Sequence, residues 1–123
     1  MPLRSDIHMK VYMSHPRHLG KIYRGKRTEQ GTEVTVETNG EVRPLEPRLD
    51  LWSHSPTSFD WGYGGSGPAQ LALAILADCI SDDVAIARPQ AFKWEVIAGL
   101  AREEWCLAGT EVVEALERIR EAS

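Results

Sequence analysis

The sequence predicts an α+β domain: a small antiparallel sheet of three or four strands within residues 7–53, packed by three helices near 68–81, 89–101 and 110–121. Three observations predict it. Residues 32–37 read Thr-Glu-Val-Thr-Val-Glu and run into Asn39-Gly40, a β-branched strand followed by the strongest short-range hairpin signal. Residues 69–77 are apolar except at Gln70 and follow Pro68, which reads as a helix buried on most sides. Val112, Leu116 and Ile119 recur at helical spacing between Glu111 and the pair Arg118 and Arg120, charges placed to suit a helix macrodipole.

Taken in order, Ile7 to Met13 alternates apolar with polar or small residues and reads as a first strand, ended by the Ser-His-Pro turn. Lys21 to Arg24 is a second strand and Thr32 to Glu37 a third. The return arm Glu41 to Leu45 carries Pro44, which places it at a sheet edge. Leu49 to Trp52 reads as a final strand. The loop from Ser53 to Gly67 holds Phe59, Trp61 and Tyr63 within five positions, so it is expected to pack rather than to hang in solvent. Pro68 suits the first helical position, with Ser66 or Gly67 as N-cap, and Asp78 with Ser81 to Asp83 ends that helix. A second helix starts at Pro89 with the stripe Phe92, Val96, Ile97 and Leu100; Lys93 and Glu95 face away from it, Trp94 flanks it and Gly99 weakens its end. Glu104 to Leu107 reads as an extended connector and Thr110 as the cap of the last helix. The domain plan is an extension or first strand over 1–20 and a single domain over 21–121.

Composition narrows the function classes. At 123 residues, 42% apolar and 26% charged, the chain has the make-up of one globular domain. It has no apolar run of eighteen residues and no apolar segment near Met1, so neither a membrane span nor a leader is expected and the expected location is cytoplasmic. The net charge of −4 divides unevenly, +3 over residues 1–48 and −7 over residues 49–123. Lys21, Arg24, Lys26 and Arg27 form the one segment with the footprint of nucleic-acid binding. The acidic whole favours reading it as a solvated strand surface instead. A helix-turn-helix reading fails because the last helix carries Glu111, Glu114, Glu117 and Glu121, which phosphates would repel.

The stretch from Trp61 to Gly67 concentrates the candidate chemistry. Gly62, Gly64 and Gly67 match the spacing of a dinucleotide fingerprint, but no buried strand precedes them, and the acids about twenty residues on, Asp82 and Asp83, read as part of a turn and not of a second parallel strand. No Lys-Ser/Thr follows for a P-loop, and Pro68 stands where a nucleophile elbow needs its last glycine. The backbone amides of Gly64, Gly65, Ser66 and Gly67, ahead of a positive helix end, remain an anion or ligand cradle, with Trp61, Gly62, Tyr63 and Lys93 beside it. The plainer alternative is that the glycines only permit a tight approach to the helix. His54 with Asp60 as base and orienter, and Ser66 as nucleophile, compose the catalytic alternative. The histidines and Cys79 and Cys106 fit no metal spacing; Cys79 reads as a buried small side chain, and no metal or cofactor is expected.

The motifs His54-Ser55-Pro56, Phe59 through Leu76, Phe92-Lys93-Trp94-Glu95-Val96 and Trp105, with Lys21-Ile22-Tyr23-Arg24-Gly25 ahead of them, resemble the DUF6166 family of uncharacterised bacterial, archaeal and phage proteins over about Lys21 to Leu116. The resemblance implies no activity, cofactor or catalytic residue. It implies that residues 1–20 precede the shared domain. It also implies a setting among accessory or mobile-element genes, where small proteins act by binding other macromolecules. The expectation is therefore a non-catalytic binding module, with a protein partner preferred to an anionic ligand. A small hydrolase or nucleic-acid-processing enzyme and sheet-mediated nucleic-acid binding are the alternatives.

Overall fold

The computed structural model describes residues 17–56 and 58–122. Strands β1 (Lys21–Thr28), β2 (Gly31–Thr38) and β3 (Glu41–Pro44) form an antiparallel meander, and a fourth strand, β4 (Glu104–Ala108), joins β1 to give the order β3-β2-β1-β4. The β2–β3 turn has Asn39 at φ 52° and Gly40 at φ 86°, the double left-handed conformation that Asn-Gly supplies cheaply. Between β3 and β4 lie helices α1 (Ser66–Cys79), α2 (Asp82–Ala87) and α3 (Pro89–Glu95) and a 3₁₀ turn at Ile97–Gly99, and α4 (Gly109–Ala122) ends the fold. The α+β class is as the sequence predicts. The strand expected at Ile7 to Met13 lies outside the described residues.

α1 is the centre. Twelve of its fourteen residues are buried, and it packs against the three other helices and the 3₁₀ turn. One continuous core joins Leu71, Leu73, Ile75 and Leu76 of α1 to Tyr23, Val34 and Val36 of the sheet, Trp105 and Leu107 of β4, and Phe92, Ile97, Val112 and Leu116. Apolar side chains all round a helix are stable only with neighbours all round, so composition and position agree.

Several boundaries differ from expectation for identifiable reasons. Leu49 to Trp52 is a turn, not a strand: Arg48 has φ 58°, its carbonyl accepts from Leu51 N–H at 3.0 Å, and its guanidinium grips Asp50 and Asp82 at 3.0 Å each. The Glu104 to Leu107 connector is β4, its Trp105 and Leu107 turned inward and Glu104 and Cys106 outward. Ser81 to Asp83 does not merely end α1. Ser81 Oγ accepts from Val84 N–H at 3.2 Å and so caps the separate helix α2. The helix from Pro89 stops at Glu95 rather than reaching 101. The cap of α1 is Gly65, with no side-chain hydrogen bond, and Pro68 is its third residue rather than its first. Pro68 still falls in the turn whose amides have no intrahelical partner. Thr110 is inside α4; Glu111 Oε1 accepts from Ala108 N–H at 2.9 Å instead, half of a capping box.

Candidate functional site: the aromatic surface at the start of α1

The surface is built upward from Gln70, the one polar residue among residues 69–77. Its amide makes four hydrogen bonds to the preceding loop: Oε1 accepts from His54 N–H at 2.6 Å and Ser55 N–H at 3.0 Å, and Nε2 donates to the carbonyls of Pro47 at 2.7 Å and Trp52 at 3.0 Å. That matches the donor and acceptor capacity of the group, and it pins the loop bearing Trp52 and His54 onto the helix. The His54 ring stacks on Trp52, with centroids 5.8 Å apart. Burial pulls the His54 imidazole below its ordinary range, and the charge of nearby Lys93 adds to the shift.

Lys93 is itself only 7% exposed, which corrects its expected outward position. Its ammonium lies 4.6 Å from the centroid of the Trp94 ring, a cation–π contact. The far edge of Trp94 covers Gly64, where a Cβ would fall within 2.0 Å of the ring, and Tyr63 covers Gly65 in the same way. These contacts join Lys93, Trp94, the glycines and Tyr63, and the Trp52–His54 stack lies near enough for His54 to feel the Lys93 charge. Trp52, Trp94 and Tyr63 are 58%, 64% and 44% exposed. Neither Trp52 nor Trp94 stands out in the sequence. Trp52 ends the run that reads as a final strand and Trp94 flanks an apolar stripe, so neither is marked by its neighbours as a surface residue.

The other predicted residues take different positions. Trp61 is fully buried, its Nε1 donating to Arg102 O at 2.9 Å and its ring edge-on to Trp105. Gly62, at φ 85°, hydrogen-bonds through its N–H to Ile97 O. Gly67 packs on Asp60, and Ser66 is exposed on the first turn of α1. Asp60 receives Arg27 Nη2 at 2.6 Å, Trp61 N–H and Tyr63 Oη, each at 2.9 Å. Burial opposes its charge, but these three donors outweigh it and hold the carboxyl below the usual range. Among the described residues no hydrogen bond links His54, Asp60 and Ser66. The four basic candidates are each in an ion pair: Lys21 with Asp78, Arg24 with Glu37, Lys26 with Glu33 and Arg27 with Asp60. Lys21 and Arg17 also donate to carbonyls at the end of α1, where cations complement the dipole. Among the described residues no helix is long and apolar enough to cross a membrane, and no group of three or more ligating side chains is gathered to hold a metal.

The model of a family of unknown function, DUF6166, matches residues 23–118. The chain belongs to the DUF6166 family. Searches of curated proteins and of solved structures return no match. Membership covers β1 through most of α4, so the aromatic surface and its supports all lie within the family domain.

Proposed function

We propose that this DUF6166 domain is a non-catalytic binding module that engages a protein partner through Trp52, Tyr63 and Trp94 at the start of α1. The observation that carries the reading is three exposed aromatics held on rigid supports, with Gln70 beneath one end and the glycine loop beneath the other. Large aromatics are the side chains that most often dominate protein–protein binding, and a clustered exposed apolar patch marks an interaction site. Lys93 and the uncapped first turn of α1 add positive potential beside it, which suits an acidic side chain within the partner's contact. The catalytic alternative has less support, because Asp60 is engaged by Arg27 and Tyr63 and not by His54. A setting among accessory or mobile-element genes belongs to the same proposal and rests on the family resemblance, and a cytoplasmic location is proposed with it from the sequence composition alone.

Affinity enrichment from the native host, run with the wild type beside a Trp52→Ser/Trp94→Ser double variant, tests it. Both rings are exposed, so the variant should keep its far-UV circular dichroism and melt within a few degrees of the wild type. A species retained by the wild type and lost by the folded variant is expected; matching eluates overturn the reading.

A further inference from the structure

β4 is a sheet edge, and its register with β1 determines which of its backbone groups are used. Arg27 N–H donates to Glu103 O at 2.9 Å, and the pairs Gly25↔Trp105 and Tyr23↔Leu107 share its phase. Antiparallel ladders alternate, so Trp105 and Leu107 point their N–H and C=O toward β1, while Glu104 and Cys106 point theirs outward. Ala108 N–H, also outward, is taken by Glu111. Among the described residues nothing pairs with the outward groups of Glu104 and Cys106.

Sheet edges are ordinarily blunted. The opposite edge, β3, is: it has four exposed residues, two of them charged, and ends in proline. β4 has neither a proline nor a charge at its centre, where Cys106 is small and exposed. Beside it runs a groove of about 420 Å³ with Val96, Leu100 and Leu107 as apolar lining and Glu111 and Glu114 on the wall formed by α4. The groove's one guanidinium, Arg118, is tied to Glu95 at 2.8 Å, so the surplus charge is negative.

We propose that β4 accepts an extended basic segment of a partner protein, which adds a fifth strand through Glu104 and Cys106 and seats alternate apolar side chains in the groove. Strand addition obtains its affinity from main-chain hydrogen bonds and its selectivity from alternate side chains. The acidic wall selects lysine or arginine at the intervening positions. A second copy of this chain is the poorer occupant, because β4 paired with β4 brings the Glu104, Glu111 and Glu114 set against its own equivalent. This surface is separate from the aromatic one, and its test reads separately.

The probe is a fluorescein-labelled nonapeptide of alternating Lys and Val, with alternating Glu and Val as its counterpart, titrated into the full chain by fluorescence anisotropy. Saturable binding of the basic peptide alone is expected. Cys106→Pro deletes one outward N–H without touching the β1 ladder and should weaken binding about tenfold. Glu114→Lys, on an exposed helix position, should weaken it comparably while leaving the fold unchanged. Trp52→Ser/Trp94→Ser should bind as the wild type does. Bound peptide should slow hydrogen exchange at the Glu104 and Cys106 amides and leave Trp105 and Leu107, already paired, unchanged. Binding without that protection would be simple charge attraction and overturns the proposal. So does a protein that sediments as a dimer whose Cys106 thiols cross-link on mild oxidation.

Discussion

Asp78 shows how much one side chain can organise. It sits in the last turn of α1, where the helix dipole disfavours a carboxylate, yet it accepts Arg43 at 2.6 Å, Tyr23 Oη at 2.7 Å and Lys21 Nζ at 3.1 Å. Two strands are thereby tied to the end of the central helix. Burial pushes its pKa up, but those three donors outweigh burial, and the net effect is a carboxyl below its ordinary value of 3.8. The folded chain therefore keeps Asp78 ionised to lower pH than the unfolded chain does. The stability that follows is fully present above about pH 4 and is lost as pH falls through the folded pKa. Asp78→Asn should cost about 2 kcal/mol at pH 7 and make the loss of stability toward pH 3 shallower, read from urea unfolding across that range. Gln70 works on the same scale with neutral chemistry. One amide, satisfied on all four sides, decides where Trp52 is displayed.

At the scale of elements, close approaches between aromatic rings and glycine backbone set the packing. In the β1–β4 pair Gly25 faces Trp105, and a Cβ at Gly25 would lie 2.3 Å from the indole. That indole is wedged against Trp61 and cannot retreat. At Gly64 the ring in the way belongs to Trp94, which is 64% exposed and has solvent beside it into which the ring can tilt. The two glycines should therefore respond differently. Gly25→Ala is expected to destabilise by about 2 kcal/mol or more through overpacking, and Gly64→Ala by less than about 0.5 kcal/mol. Paired thermal or chemical denaturation of the two variants checks the contrast. Gly109 is under the tightest constraint, since a Cβ there would meet the backbone carbonyl of His18 at 2.0 Å.

At the scale of the molecule, the sheet is completed by a strand that arrives after three helices. β4 brings Trp105 and Leu107 into the core, and α4 adds Val112, Val113 and Leu116. At about 2 kcal/mol for each buried side chain, these five contribute on the order of 10 kcal/mol, comparable to the whole stability of a domain, about 5–15 kcal/mol. A chain ending at Glu103 should therefore show no cooperative thermal transition by near-ultraviolet circular dichroism, although it retains β1 to β3 and all of α1. A sharp transition in that truncated chain would refute the account of β4 and α4 as integral to the core.

Local chemistry made much of this fold legible. The Asn39-Gly40 turn, the β-branched run before it, the solid apolar run of α1 and the Val112–Leu116 stripe each encode their element in adjacent residues, because backbone preference and periodicity are short-range properties. The buried state of Cys79 follows the same way from its apolar helix. Leu49 to Trp52 misled because its alternation matches a strand, while the Arg48 grip on Asp82, thirty-four residues away, folds it into a turn. Lys93 misled because a lysine on a helix is usually solvated, whereas here the Trp94 ring holds its ammonium. The basic run at Lys21 to Arg27 is visible as charge, but its partners Asp78, Glu37, Glu33 and Asp60 are brought to it by the sheet and the central helix. The sequence by itself determined the α+β class and the central place of α1. The tertiary structure decided that β4 closes the sheet, that Trp61 and not Tyr63 is the loop aromatic fully buried, and that Trp52 and Trp94 face out, because each depends on long-range contacts that no local pattern records.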